Sequence, residues 1–194
     1  VVTEWFGDGA ELGVMLTYFV EKEPLGTAGS VKNCMAHLGG EDFLVISGDA
    51  VCDLDLSAAL GFHRTSRAAA TLILHRHPAP LEYGLVLTRD DGRIQRFIEK
   101  PGWGQVFTDT VNTGIYLLTR RAMDLVPEDQ PYDFGKDLFP LLLSRGAPLY
   151  GHVADGYWCD MGDLLEEFFK RPYVAAKVAE GKLPDTWREI VGDR

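Results

Sequence analysis

No stretch of this sequence approaches the roughly 20 consecutive apolar residues that a membrane-crossing helix needs, so no membrane partner is expected. Basic residues are in deficit: 19 Lys and Arg stand against 29 Asp and Glu, a formal charge of −10. No basic cluster forms either, which excludes a broad nucleic-acid-binding face. Any anionic ligand must therefore be met by local donors and a metal. Cysteine is sparse. Cys34, Cys52 and Cys159 are odd in number and lie at no ligand spacing, the pattern of buried reduced thiols in a cytoplasmic protein. There is no internal repeat and no low-complexity tract. Val1-Val2-Thr3 offers neither an initiator methionine nor a signal peptide, and the expectation is a cut through a longer polypeptide.

What is present suffices for one α/β domain. The chain has 194 residues, 46% of them hydrophobic, enough for a full core. Phe43-Leu44-Val45-Ile46 is a short apolar run with two β-branched residues, bounded by Glu41-Asp42 and Gly48. It reads as a strand buried on both faces of a parallel sheet. Ligands collect beyond the carboxyl ends of such strands. Asp49 stands there, and Gly48 leaves the backbone open to close approach. A carboxylate so placed suits a hard cation such as Mg²⁺ on substrate phosphates; the competing reading is a cap for the next turn.

Along the chain, residues 4–11 read as turn and 12–20 as a strand. The small-residue stretch Leu25-Gly26-Thr27-Ala28-Gly29-Ser30 then leads into a helix through Val31, Met35 and Leu38. Its amides would be free to meet a ligand, although it lacks the Gly-Lys-Ser/Thr ending of a Walker A loop, and taken alone a plain connection is the better reading. Asp55 or Ser57 would cap a helix over 56–66. Asp53 and Asp55 could instead form a metal pair. Residues 70–77 read as a strand with His75 and His77 on one face, at a solvated end or as zinc ligands lacking a third partner. Strands follow over 84–88, 93–99 and 110–118, the first two joined by a hairpin at Asp90-Asp91-Gly92. Glu99-Lys100 ends the second as a surface ion pair, or as a hydroxyl acceptor beside a phosphate-binding cation. Gly114 breaks the third, as glycines do where a ligand or another backbone comes close. Helices are expected over 120–126 and 135–145, a strand over 148–153, and helices over 164–170 and 173–180.

Taken in order, these motifs resemble the sugar-1-phosphate nucleotidyltransferases, also called nucleotide-sugar pyrophosphorylases. The likeness runs through Phe6-Gly7-Asp8-Gly9, Leu25-Gly26-Thr27-Ala28-Gly29, Ser47-Gly48-Asp49, Tyr83-Gly84, Glu99-Lys100-Pro101, Asn112-Thr113-Gly114-Ile115-Tyr116 and Trp158-Cys159-Asp160-Met161-Gly162. Trp103-Gly104 and Asp133-Phe134-Gly135-Lys136-Asp137 look closest to the mannose-1-phosphate guanylyltransferase-like branch. The resemblance implies a Rossmann-like, mixed, mainly parallel sheet flanked by helices, over residues 1–182, with 183–194 a tail or linker. It implies attack of a sugar 1-phosphate on a nucleoside triphosphate, giving a nucleotide sugar and pyrophosphate. Carried over by position, Asp49 and Asp160 would share one Mg²⁺, and Lys100 would meet the sugar's phosphate. Leu25, Gly26, Thr27, Ala28 and Gly48 would lie against the nucleotide. Gly84, Glu99, Asn112, Thr113 and Gly114 would hold the sugar. Guanine is preferred by likeness, and mannose or glucose fits equally. The family's glycine-rich loop, with its arginine and lysine, has no counterpart in residues 1–24. The chain alone is therefore expected to be inactive or nearly so, with a partner chain, a homo-oligomer or a rearranged edge covering exposed apolar surface. A glycosyltransferase built on Asp53 and Asp55, and a non-catalytic regulatory subunit, are the alternatives.

Overall fold

The computed structural model describes residues 2–40 and 42–172; the expected helix over 173–180 and the tail over 183–194 lie outside the described residues. The sheet is organised on one long strand, β6 (Thr110–Thr119), and the strands β1 (Asp42–Ile46), β3 (Ala70–Arg76), β4 (Leu85–Thr88), β5 (Ile94–Ile98) and β7 (Leu149–Val153) assemble around it in the order β5-β4-β6-β3-β7. On one side of β6 runs β3. On the other, β4 meets its beginning at Val111 and β1 its end, from Ile46 opposite Ile115 to Asp42 opposite Thr119. β1, β3 and β7 share one direction, and β6 runs against them; β3 and β7 form the one parallel ladder among the described residues. This is the expected mixed sheet flanked by helices.

Strand alternation divides the core into two layers. Leu72, Leu74, Tyr116 and Leu118 point to one face, with Met123 of α4 (Arg120–Met123) and Phe139 and Leu142 of α5 (Phe139–Ser144). Ile73, Ile115 and Leu117 point to the other, with Ala59 of α3 (Leu56–Thr65) and Trp158. Asp55 caps α3, accepting from the Ala58 amide at 2.9 Å. Asp90-Asp91-Gly92 makes the expected hairpin between β4 and β5, with Gly92 at φ +82° and Asp91 accepting from the Arg93 amide.

Several expectations are corrected. The strand buried on both faces is β3, whose Ala70 to Leu74 are all buried, and not β1. Among the described residues β1 pairs only with β6, so Phe43 and Val45 pack inward while Leu44 and Ile46 are 40% and 48% exposed. Residues 12–20 form no strand. After the short helix α1 (Val2–Phe6), where a turn was expected, and a 3-10 turn at Ala10–Leu12, that segment finds no ladder, and Met15 and Val20 stand exposed. β propensity without a neighbouring strand does not make one. The next helix, α2 (Gly26–Cys34), begins within the small-residue stretch rather than after it. The helix expected over 135–145 opens as a wide π turn, Phe134–Leu138, before α5.

Candidate active site

Beyond β1 the chain turns through Ser47-Gly48-Asp49 into β2 (Ala50–Cys52), which leaves the main sheet. β2 pairs antiparallel with β8 (Trp158–Asp160), placing Ala50 opposite Asp160. The Met161 amide, at the start of α6 (Met161–Lys170), donates to the Asp49 carbonyl at 2.8 Å. Two carboxylates far apart in the sequence thus spring from adjoining points of one ribbon. Each is oriented through Oδ1: Asp49 accepts from the Ser47 hydroxyl at 2.5 Å, and Asp160 accepts from the Gly162 amide at 2.7 Å while capping α6. Neither Oδ2 has a hydrogen bond among the described residues. No group of three or more His, Cys, Asp or Glu that could hold a metal occurs there either. Two hard carboxylates without a protein cage suit Mg²⁺, which keeps water and phosphate oxygens in its shell, and not zinc.

Beside this pair opens a cavity of about 160 Å³, lined by Ser47, Asp49, Glu82, Tyr83, Gly84, Glu99, Asn112, Thr113, Gly114, Trp158 and Asp160. Its floor is fixed by Trp158, whose indole N–H donates to the Thr113 carbonyl at 3.1 Å, and whose ring packs edge-on against Tyr83. Glu99 lies half-buried in the cavity. A Cβ on Gly84 would lie 2.7 Å from its Oε2, and one on Gly135 2.6 Å, so both glycines make room for this carboxylate. Burial first, then the nearby Asp133 carboxylate, hold its pKa above the ordinary value, with Lys100 and Lys136 opposing. Lys100 is exposed at φ +43° and forms no ion pair with Glu99. A non-glycine residue in the left-handed region costs about 1 kcal/mol or more.

The structure brings Asp49, Asp160, Gly84, Glu99, Asn112 and Gly114 together, but with unequal parts. Asn112 has its amide committed, Nδ2 donating to the Tyr116 phenol at 2.9 Å and Oδ1 accepting from the Gly114 amide at 3.2 Å. Thr113 offers the cavity only backbone: its side chain is buried and its hydroxyl donates to the Ile73 carbonyl at 2.7 Å. The cause is the irregularity at Gly114, φ +76°, where β6 slips register against β3. A Cβ at Gly114 would lie 2.9 Å from that of Ser47, so this glycine serves the turn that carries Asp49.

The expected nucleotide-side residues separate. Thr27 faces a second cavity, of about 240 Å³, which shares Ser47 and Gly114 with the first and is walled by Val31, Val45, Ile46, Tyr116 and Phe134. Gly48 is exposed, with nothing within 4 Å of where its Cβ would be. Ala28 is fully buried, and the amides of Ala28 and Gly29 donate to the Tyr132 carbonyl at 2.9 and 3.0 Å. Those first-turn amides are not free, because the Tyr132 carbonyl caps them. Gly26 is required by its φ of +71° and by Tyr132, whose carbonyl oxygen would lie 2.7 Å from a Cβ. Leu25 lines a different hollow, with Lys32 and Arg120.

Asp53 and Asp55 of the rival metal pair also bond backbone amides. Asp53 Oδ1 accepts from the Tyr157 amide at 2.5 Å, and Asp55 is the cap of α3. His75 and His77 do share a face, as aromatic neighbours of Trp158. Ser47, Tyr83, Trp158 and Gly135 were not singled out from the sequence as site residues. The two-residue step from Ser47 to Asp49 was a usable signal; Gly135, brought to Glu99 only by the fold, gave none.

A family model described as nucleotidyl transferase matches residues 1–170. A UTP–glucose-1-phosphate uridylyltransferase from Synechocystis sp. is 34% identical over 98% of this chain and 48% of its own length. A mannose-1-phosphate guanylyltransferase from Mycobacterium tuberculosis is 37% identical over 81% of this chain and 44% of its own. The chain spans about half the length of these relatives. A candidate glucose-1-phosphate thymidylyltransferase from Bacillus anthracis, solved in complex with sucrose, superposes with a TM-score of 0.72 at 25% identity, covering 83% of this chain and 65% of that one.

Proposed function

Because the chain belongs to the nucleotidyl transferase family, we propose that it carries the sugar-side half of an active site for nucleotidyl transfer to a hexose 1-phosphate. The observation that carries this is the β2–β8 ribbon, which sets Asp49 and Asp160 side by side at the mouth of the Glu99 cavity. In this reading a phosphate oxygen of the sugar 1-phosphate forms a bond to the α-phosphorus of the nucleoside triphosphate. The bond from that phosphorus to the β-phosphate bridge breaks, and pyrophosphate leaves with the electron pair. Such transfer depends on alignment and on charge neutralisation rather than on a strong acid or base. Asp49 and Asp160 would hold Mg²⁺, whose charge would offset that of the phosphates. Glu99, once ionised, accepts from sugar hydroxyls. Lys100, exposed next to it, meets the sugar's phosphate. Thr27 and Gly48 border the nucleotide.

Guanine with mannose is the first pairing to try, given the likeness to the guanylyltransferase branch, with uracil or thymine and glucose next. Residues 1–24 hold no arginine, and their one lysine, Lys22, sits in no glycine-rich loop. These 194 residues alone should therefore turn over slowly if at all. The edge of β1, uncovered among the described residues and with Leu44 and Ile46 exposed, supports a covering polypeptide there, either a second copy or another chain. The three free cysteines support a reducing, cytoplasmic setting.

Calorimetric titration with mannose 1-phosphate and glucose 1-phosphate, with and without Mg²⁺, tests the reading on the chain itself. Pyrophosphate release with GTP, UTP, dTTP and ATP extends it to the longest natural form. Binding that needs Mg²⁺ and is lost in Asp160→Asn is expected. Absence of both binding and pyrophosphate with every pair would return the chain to the regulatory alternative.

A further inference from the structure

Thr27 and Asp133 lie outside the lining of the Glu99 cavity, yet a continuous set of bonds joins them to it. The Thr27 hydroxyl donates to Asp133 Oδ2 at 2.8 Å and accepts from the Phe134 amide at 3.0 Å. The other oxygen of Asp133 accepts from the amides of Gly135 and Lys136 at 2.9 and 3.0 Å. The Asp133 amide is itself held by Asp137 Oδ2 at 2.8 Å. Gly135, fixed in this way, forms one wall of the seat in which Glu99 lies, the other being Gly84. One residue earlier, Tyr132 bonds the first turn of α2 through both its carbonyl and its amide. A single turn of backbone therefore touches the helix that would border the nucleotide and the carboxylate that would take the sugar.

We propose that Asp133 is a positioning residue: it clasps Thr27 of α2 to the seat of Glu99, so that the nucleotide side and the sugar side of the site keep one register. The proposal rests on the sugar-phosphate reading of the Glu99 cavity. A carboxylate suits the task because its two oxygens serve different partners at once, Oδ2 the helix and Oδ1 the turn. The charged and titratable groups that act on Glu99 are Asp133 and Lys136 from this turn, Lys100 from its own strand end and the Tyr116 phenol from β6, while Asp49, Glu82, Tyr83 and Asp160 line the same cavity. Asp133 is the neighbouring charge that works against ionisation of Glu99, so the clasp also tunes how readily Glu99 becomes an acceptor.

The test uses the whole chain and three variants, Thr27→Val, Thr27→Ser and Asp133→Asn, the last keeping a side chain that still caps. Affinity for mannose 1-phosphate and glucose 1-phosphate is measured by calorimetry with Mg²⁺. The Glu99 carboxyl is titrated by carbon-13 NMR without ligand, its signal assigned by loss in Glu99→Gln. Thr27→Val, remote from the sugar cavity, is expected to weaken sugar-phosphate binding roughly three- to tenfold, the value of one hydrogen bond, and Thr27→Ser to restore it. The Glu99 midpoint should fall in Asp133→Asn. It should fall also in Thr27→Val, where the charges are unchanged but Asp133 is released, and return in Thr27→Ser. A role limited to stability would move melting temperature and leave that midpoint in place. An unmoved midpoint in Asp133→Asn or Thr27→Val overturns the clasp. If the parent chain binds neither sugar phosphate, the functional reading fails, while the ligand-free titration still decides the clasp.

Discussion

The two ends of β6 are built to different standards. Its first half faces a walled cavity where Gly84, Glu99, Trp158 and the Asp49–Asp160 ribbon are each held by named bonds or close packing. Its second half pairs with β1, whose outer edge is bare among the described residues and whose Leu44 and Ile46 face outward. Pre-organisation is therefore concentrated around the Glu99 cavity. The cavity that Thr27 faces is walled mainly by apolar side chains, and in the proposed reading further donors would be needed before a triphosphate is gripped. The difference gives the mutational experiments their contrast.

The largest expected effect separates the two pairs of aspartates. In the proposed reading, Asp160→Asn should lower turnover in a pyrophosphate-release assay on the longest natural form on the order of 10²–10³-fold, the usual cost of losing an electrostatic element aimed at the reacting charge. Asp53→Asn removes a bond to the Tyr157 amide and should act on melting temperature, with turnover changed by less than about threefold. Equal loss of turnover in the two variants would erase the distinction between ligand and scaffold. Next comes the contrast between strands. Leu72→Ala on β3 leaves a hole in a fully buried layer and should cost about 2–5 kcal/mol in chemical denaturation. Leu44→Ala on β1, 40% exposed, should cost under about 1 kcal/mol. A large cost at Leu44 would mean that something covers the edge of β1 in solution.

These contrasts also show what could be read from the sequence. Phe43–Ile46 and Thr71–Leu74 look alike as short apolar runs, and both are strands. Which of them is central depends on β6, a partner remote in sequence, so periodicity could not decide it. Local chemistry was legible: the Asp55 cap and the Asp90-Asp91-Gly92 hairpin need only their neighbours. The convergence of Asp49 and Asp160 was legible only through the order of motifs, and it is the β2–β8 register that realises it. Thr113 lines the cavity, but the irregularity at Gly114 turns its hydroxyl to the core. Asp133 carried no outward sign of reaching Thr27, since that bond exists only once α2 and the turn before α5 have docked.

Two glycines from the motifs sharpen the comparison at smaller scale. Gly26→Ala forces a side chain into φ +71° and against the Tyr132 carbonyl, and should destabilise the chain by about 1–3 kcal/mol with no ligand present. Gly48→Ala meets nothing within 4 Å and should alter stability by under about 0.5 kcal/mol. If it nevertheless weakens ligand binding, its openness serves a ligand; a marked loss of stability at Gly48 would show that the turn cannot accept a side chain.

The smallest effect is the pH dependence contributed by Glu99. Its folded pKa lies above the ordinary 4.5, with burial the larger cause and Asp133 the second. Between the unfolded value and the raised folded one, the native state holds more proton than the unfolded chain, so stability falls as pH rises through that window. Below the window the protonated acid lies comfortably in its seat; above it, the charge stands in a poorly solvated place and that part of the stability is gone. Glu99→Gln keeps the shape without titrating, so its melting temperature should decline less than that of the parent as pH rises from 4.5. Because other carboxylates titrate over the same range, the difference between variant and parent is the quantity to follow. Parallel curves would mean that Glu99 is as well solvated as an acid on the outer edge of β1, and the contrast between the two ends of β6 would lose its electrostatic half.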